Sequence, residues 1–179
     1  MRPAIVSRLG LALFACALIL PSTVETQVPA PPVRVGTFDS RAVALAYYRS
    51  PATRERMQAL RADFEKAKAA NDEKRVKELE AQGPAWQMLM HLQVFSNGSI
   101  GNVTAVIADR LPAIAAAAGV SAIVSEFELA YAGTAVERVD VTAQVAALFN
   151  PDAAAKKMID SMKGQKPIGL AEALAIKDW

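Results

Sequence analysis

His91 is the only histidine of this chain and Cys16 its only cysteine, so any metal or nucleophile–base chemistry must be assembled from these two, hydroxyls and carboxylates. A zinc-type site needs three or four converging His, Cys or acidic ligands. His91 has no cysteine near it and no ordered set of carboxylates around it in sequence, and it is read as packed beside Met88 or at the rim of its helix. Asp39-Ser40 sets a hydroxyl beside an acid, yet no base is placed there by any recognisable motif. An Asp-Ser step ahead of an apolar run is the ordinary signature of a helix cap. Asn97-Gly98-Ser99 and Asn102-Val103-Thr104 are formal glycosylation sequons, and the glycines near them do not follow the spacing of a phosphate-binding loop. The sequence therefore predicts no catalytic residue, no cofactor and no metal, and a protein that is not an enzyme.

What remains is non-covalent chemistry. Trp86, Met88, Leu89, Met90, Leu92, Val94 and Phe95 crowd into Ala85–Phe95. Methionine and aromatic surfaces adapt to varied partners, so this cluster is the candidate contact surface for a client or partner. The competing reading is that it packs on Met57, Leu60 and Phe64, or between subunits. Apolar residues nearly all round the segment favour packing.

The elements that must position this cluster follow from composition and periodicity. With 179 residues and 53% apolar content, the chain can bury the core of one domain. Charge is 20 basic against 18 acidic residues, and because Arg2 and Arg8 lie in the leader, the remainder is balanced at 18 against 18. A balanced chain argues against nucleic acid as the main partner.

Arg2 and Arg8 precede the apolar run Leu9–Leu20, which as a helix would rise only about 18 Å, short of the roughly 30 Å of a bilayer core. Pro21 and Ser22 then break the run. Residues 1–22 are read as a cleaved signal peptide directing the chain to export, with a retained anchor as the alternative. Leu13-Phe14-Ala15-Cys16 loosely resembles a lipobox, but Phe14 is bulky and the apolar run continues past Cys16. Membrane contact is then expected only through the leader or the clients.

Residues 23–32 form a Pro-rich linker. Val33–Phe38 alternates as a strand, and Asp39 or Ser40 caps a short helix through Tyr48. Met57, Leu60, Phe64 and Ala67 make one helical stripe; Val76, Leu79, Gly83, Trp86 and Met90 make a second, out of register with the first. Either a helical hairpin reverses near Ala70–Glu73, or one helix slips in phase. Arg61–Glu65, Glu73–Lys77 and Lys74–Glu78 are spaced as i,i+4 pairs. Gly83-Pro84 predicts a kink or a restart.

After a loop at Ser96–Ser99, Ile100–Ala118 is read as a helix with Val103, Ile107, Leu111 and Ile114 on one face, bent at Pro112 and stopped at Gly119. Two strands follow, near 120–124 and 127–131, then a helix capped by Asp140 or Thr142 and running to Phe149. Residues 150–179 read as a C-terminal helical extension. The fold class is α+β: a small sheet with a projecting helical hairpin and C-terminal helices, the helical excursion occupying about 52–118.

VRVGTFDS at 33–40 and IVSEFELAYAG with VDVTAQVAALF, between 123 and 149, carry a resemblance to the OmpH/Skp family of periplasmic chaperones. Tyr131 followed by Val139-Asp140-Val141-Thr142 is similar to the family's tyrosine-then-D-[IV]-T ending. The resemblance spans 33–149, with specific motifs at its two ends. It implies an ATP-independent holdase that binds unfolded outer-membrane or envelope proteins, with a homotrimeric body and projecting coiled-coil arms. The alternative is a structural or adaptor module that binds one fixed envelope partner through the arm. The chain departs from the family pattern in its short arms, in Gly83-Pro84, and in the apolar Ala85–Phe95 where charge is usual.

Overall fold

The computed structural model describes residues 32–176. The leader, its cleavage site, the Cys16 reading and all of the linker but Pro32 lie outside them.

The sheet is built on β1 (Val33–Phe38), which pairs in parallel with β2 (Ala122–Ser125) on one side and β3 (Val136–Asp140) on the other. Parallel neighbours require crossover connections, and here a long helical excursion supplies the first. It comprises α1 (Ser40–Tyr48), α2 (Pro51–Ala69), α3 (Glu73–Val94), the short α4 (Gly101–Thr104) with a 3-10 turn at Ala105–Ile107, and α5 (Leu111–Ala118). After β3 come α6 (Thr142–Ala147), α7 (Ala153–Met162) and α8 (Leu170–Ala175). The fold is α+β.

Gly36 shows why the sheet closes tightly: a Cβ there would meet side chains of Ile123 and Val120 at 3.2 Å and Val141 at 3.3 Å. Above it sits one core, in which Phe38, Val43, Leu45, Val103, Ile107, Val141, Val145 and Phe149 are buried together. The face predicted for 100–118 is the one that faces inward, with Val103 and Ile107 fully buried and Leu111 and Ile114 packed against the core. Ile159 of α7 joins the same core, so the tail beyond Asn150 packs on the body.

One predicted strand is misplaced. Phe127–Tyr131 forms no strand, and Tyr131 is 83% exposed. Its alternation imitates a half-buried strand, but Glu126 N–H makes the last ladder bond, to Phe38 O at 2.9 Å. The chain then turns, with Glu128 N–H donating to Ser125 O and Phe127 N–H to Ser125 Oγ. The third strand is β3, on the far side of β1 from β2, so the two later strands never pair with each other.

The predicted helix 100–118 is also divided. Pro112 lies in the first turn of α5, where its missing N–H has no partner to lose, so it starts a helix rather than bending one.

The two out-of-register stripes are resolved as a hairpin. The chain reverses through Asn71, whose φ of 56° is left-handed, and the Asp72 carboxylate accepts Arg75 N–H at 3.0 Å to cap α3. None of the three i,i+4 pairs forms an ion pair. Arg75 instead bridges the arms to Asp63 at 2.6 Å and meets Glu78 at 3.1 Å. Helix α3 continues through Gly83-Pro84 without ending. Gly83 makes this possible, since the residue before proline has no Cβ to crowd the Pro84 ring.

A candidate binding groove on the helical hairpin

Two polar devices fix the root of the hairpin. At the sheet, the Asp39 side chain caps α1 by accepting Arg41 N–H at 2.9 Å and holds the Arg41 guanidinium through bonds of 2.7 and 3.1 Å. Arg41 also donates to Gln165 O at 2.7 Å, and its guanidinium carbon lies 5.0 Å from the centre of the Phe127 ring. Thr142 Oγ1 accepts Asp39 N–H at 3.0 Å, tying the start of α6 to the end of β1, while Asp140 at the end of β3 accepts Thr142 N–H at 2.9 Å. Glu126 lies near this cluster. Loss of solvent, and then the charges of Asp39 and Asp140, push its carboxyl above the usual range, against the opposing pull of Arg41. With Asp39 engaged by Arg41 and by backbone N–H groups, the cluster offers structure rather than a general base. Among the described residues no His, Cys, Asp and Glu group is placed to hold a metal.

At the hairpin itself, Ser50 caps α2 by accepting Thr53 N–H at 3.2 Å, and Thr53 Oγ1 donates to Tyr47 O at 2.8 Å. Tyr48 donates to Gln93 Oε1 at 2.7 Å, and the buried Gln93 amide donates to Ser99 O and Asn102 Oδ1, each at 2.6 Å. Burial, and then the neighbouring Tyr47, push the Tyr48 hydroxyl up to about 12. Tyr47, Tyr48, Trp86 and Phe149 stack at this root, with Tyr48 and Trp86 edge to face at 5.3 Å. The departure of α2 and the return of α3 are thereby set before the arms extend.

Between the arms lies a groove of about 800 Å³. Met57, Leu60 and Phe64 form one wall and Leu79, Trp86 and Leu89 the other, with Arg56, Arg61, Glu65 and Glu80 among the remaining lining residues. Gly83 also lines it, and a Cβ there would meet nothing within 4 Å. Trp86 is braced by Tyr48, edge to face, and by the Arg56 guanidinium 4.8 Å from its ring centre. A cation over an indole face keeps the ring oriented. The chemistry such a groove performs is recognition by burial: apolar walls, a firm aromatic, and charges of both signs.

The predicted contact cluster is divided by the structure. Trp86 and Leu89 line the groove. Met88 is 45% exposed and is not part of its lining. Met90, Val94 and Phe95 belong to or pack against the core, and half-buried Leu92 accepts Gly98 N–H at its carbonyl. His91 is buried, its ring 5.7 Å from that of Phe95. Met57, Leu60 and Phe64, expected only as packing partners, are instead half of the groove. Leu79 and Gly83 were visible as stripe members, but only the hairpin turns their stripe towards the other arm.

Comparison with protein-family models, curated proteins and solved structures finds no match to this chain.

Proposed function

We propose that this chain is an ATP-independent holdase of the periplasm, of OmpH/Skp type, which takes apolar segments of unfolded outer-membrane or envelope proteins into the groove between α2 and α3. The observation that carries this reading is the groove itself: apolar on both walls, set on a hairpin whose root is locked. Burying a Leu- or Phe-sized client side chain is worth roughly 1.5–3 kcal/mol, and ordering a flexible segment offsets much of that. Two or three such contacts give binding of about micromolar strength or weaker, which suits capture followed by release. The sequence resemblance supports the client class and the compartment.

The test is light scattering of an aggregating outer-membrane protein with the chain in stoichiometric excess. Suppression is expected, and Leu60→Glu, which places a charge on the groove wall, is expected to abolish most of it while leaving the helical circular dichroism intact. Aggregation unaffected by the unaltered chain would refute the reading. A second reading, an adaptor for one fixed envelope partner, draws on the bracing of Trp86, because a preorganised wall favours one shape over many. It would show as a single stable complex, lost in Leu60→Glu, with little effect on generic clients.

A further inference from the structure

A smaller hollow of about 220 Å³ adjoins the groove at the root of the hairpin, lined by Tyr48, Thr53, Arg54, Met57, Gln58 and Arg61. Met57 and Arg61 line the groove as well, so the two spaces meet along them. Their chemistry differs. Where the groove is walled mainly by apolar side chains, the hollow has two guanidiniums and no acid in its lining. Both of its hydroxyl protons are committed, Tyr48 to Gln93 Oε1 at 2.7 Å and Thr53 to Tyr47 O at 2.8 Å. The donors that remain are the Gln58 amide and the guanidiniums of Arg54 and Arg61, all three on exposed residues. Arg54 already meets one carboxylate, that of Asp152 at 3.3 Å, whereas Arg61 forms no ion pair among the described residues.

The charges along the groove are also ordered. Its acids, Glu65 and Glu80, lie within about two turns of the reversal at 70–72, while Arg54 and Arg56 are more than about four turns from it. Arg61 stands between, but a helical side chain leans towards the N-terminus of its helix, which for α2 is the root. Cations therefore gather at the root and anions towards the tip.

We propose that the hollow is a carboxylate subsite of the client groove. Apolar residues of the client lie between α2 and α3, and an acidic group adjoining them, from a side chain or a chain end, is received by Arg61 with Arg54 and Gln58. Guanidinium and carboxylate form a charge-assisted pair, and Glu65 and Glu80 repel an anion lying the other way. Client segments are thus selected by charge order and held in one orientation. This inference rests on the groove being the client site and names the class of segment it prefers.

The experiment measures the binding of three short peptides to the chain without its leader, by the anisotropy of an uncharged dye at the peptide N-terminus. All three carry the same run of leucine and phenylalanine; one ends in glutamine amide, one in glutamate amide and one in glutamine with a free carboxylate. At low salt the glutamate peptide, the free-carboxylate peptide or both are expected to bind at least about threefold tighter than the neutral one, and whichever does so identifies the source of the carboxylate. Arg61→Gln is expected to bring that ratio close to one, whatever it does to the neutral peptide, and Arg54→Gln to reduce it. Circular dichroism checks that each variant folds. Equal affinities for all three peptides overturn the subsite and leave the groove as the client site. A preference that survives Arg61→Gln overturns the assignment to this hollow. Binding of none of the peptides overturns groove capture, and the subsite with it.

Discussion

Arg41 is the most constrained charge in the described chain, 4% exposed and held by Asp39, a backbone carbonyl and an aromatic face. Removing one partner of such a pair leaves a buried charge uncompensated, and Asp39→Ala is expected to cost about 3–5 kcal/mol in urea unfolding. A loss below about 1 kcal/mol would mean that Gln165 O and local water suffice. Glu126 supplies the opposite case. Its carboxyl is raised in the fold, so the folded state holds its proton more tightly than the unfolded chain does, and stability falls as pH rises through that interval. The interval opens near the ordinary Glu value of about 4.3 and extends upward through the raised one. Glu126→Gln removes this decline: the variant is expected to match the parent below the interval and to exceed it above, by less than about 1 kcal/mol because water screens an exposed group. Equal stabilities at pH 7 would contradict the assignment. Asp39 as a cap was legible from its place before an apolar run. Its ion pair was not, since Arg41 reads in sequence as an ordinary solvent-facing residue of a short helix.

The hairpin shows where local pattern suffices and where it fails. The two stripes gave its walls, but a stripe that shifts phase fits a reversal and a slip equally well. The left-handed Asn71 and the Asp72 cap decide between them. Pro84 is the element's weak point: it deletes a helical N–H, and a proline costs roughly 3 kcal/mol relative to alanine in a helix interior. Pro84→Ala is expected to raise stability by about 1–3 kcal/mol in thermal unfolding, and a destabilised variant would show that the Pro84 ring makes packing contacts that outweigh the missing bond. The third strand was hidden for a different reason. Val136–Asp140 has charged residues on both faces and gains its identity from the register of β1, with Gly36 opposite Val139. Phe127–Tyr131 has the better alternation and no strand to pair with. Where two segments compete for one edge, pairing geometry outranks periodicity.

At the scale of the whole molecule, a body of sheet and shared core carries a hairpin with an open apolar groove between its arms. The apolar excess of Ala85–Phe95 was visible in sequence, but its division between core and groove depends on where α3 meets α1 and α2. Only Trp86 and Leu89 of the seven candidates reach the groove, while Met57, Leu60 and Phe64 complete it from a segment that sequence reading assigned to packing. Trp86 and Trp179 are the two tryptophans, so Trp179→Phe leaves one reporter on the groove wall. The most direct measurement is the emission of Trp86 in that variant as an unfolded outer-membrane protein without tryptophan is added. A saturable blue shift, absent in the same chain carrying Leu60→Glu, is the result that client capture in the groove predicts. Emission that does not move while the chain still suppresses aggregation would place the client elsewhere and contradict it.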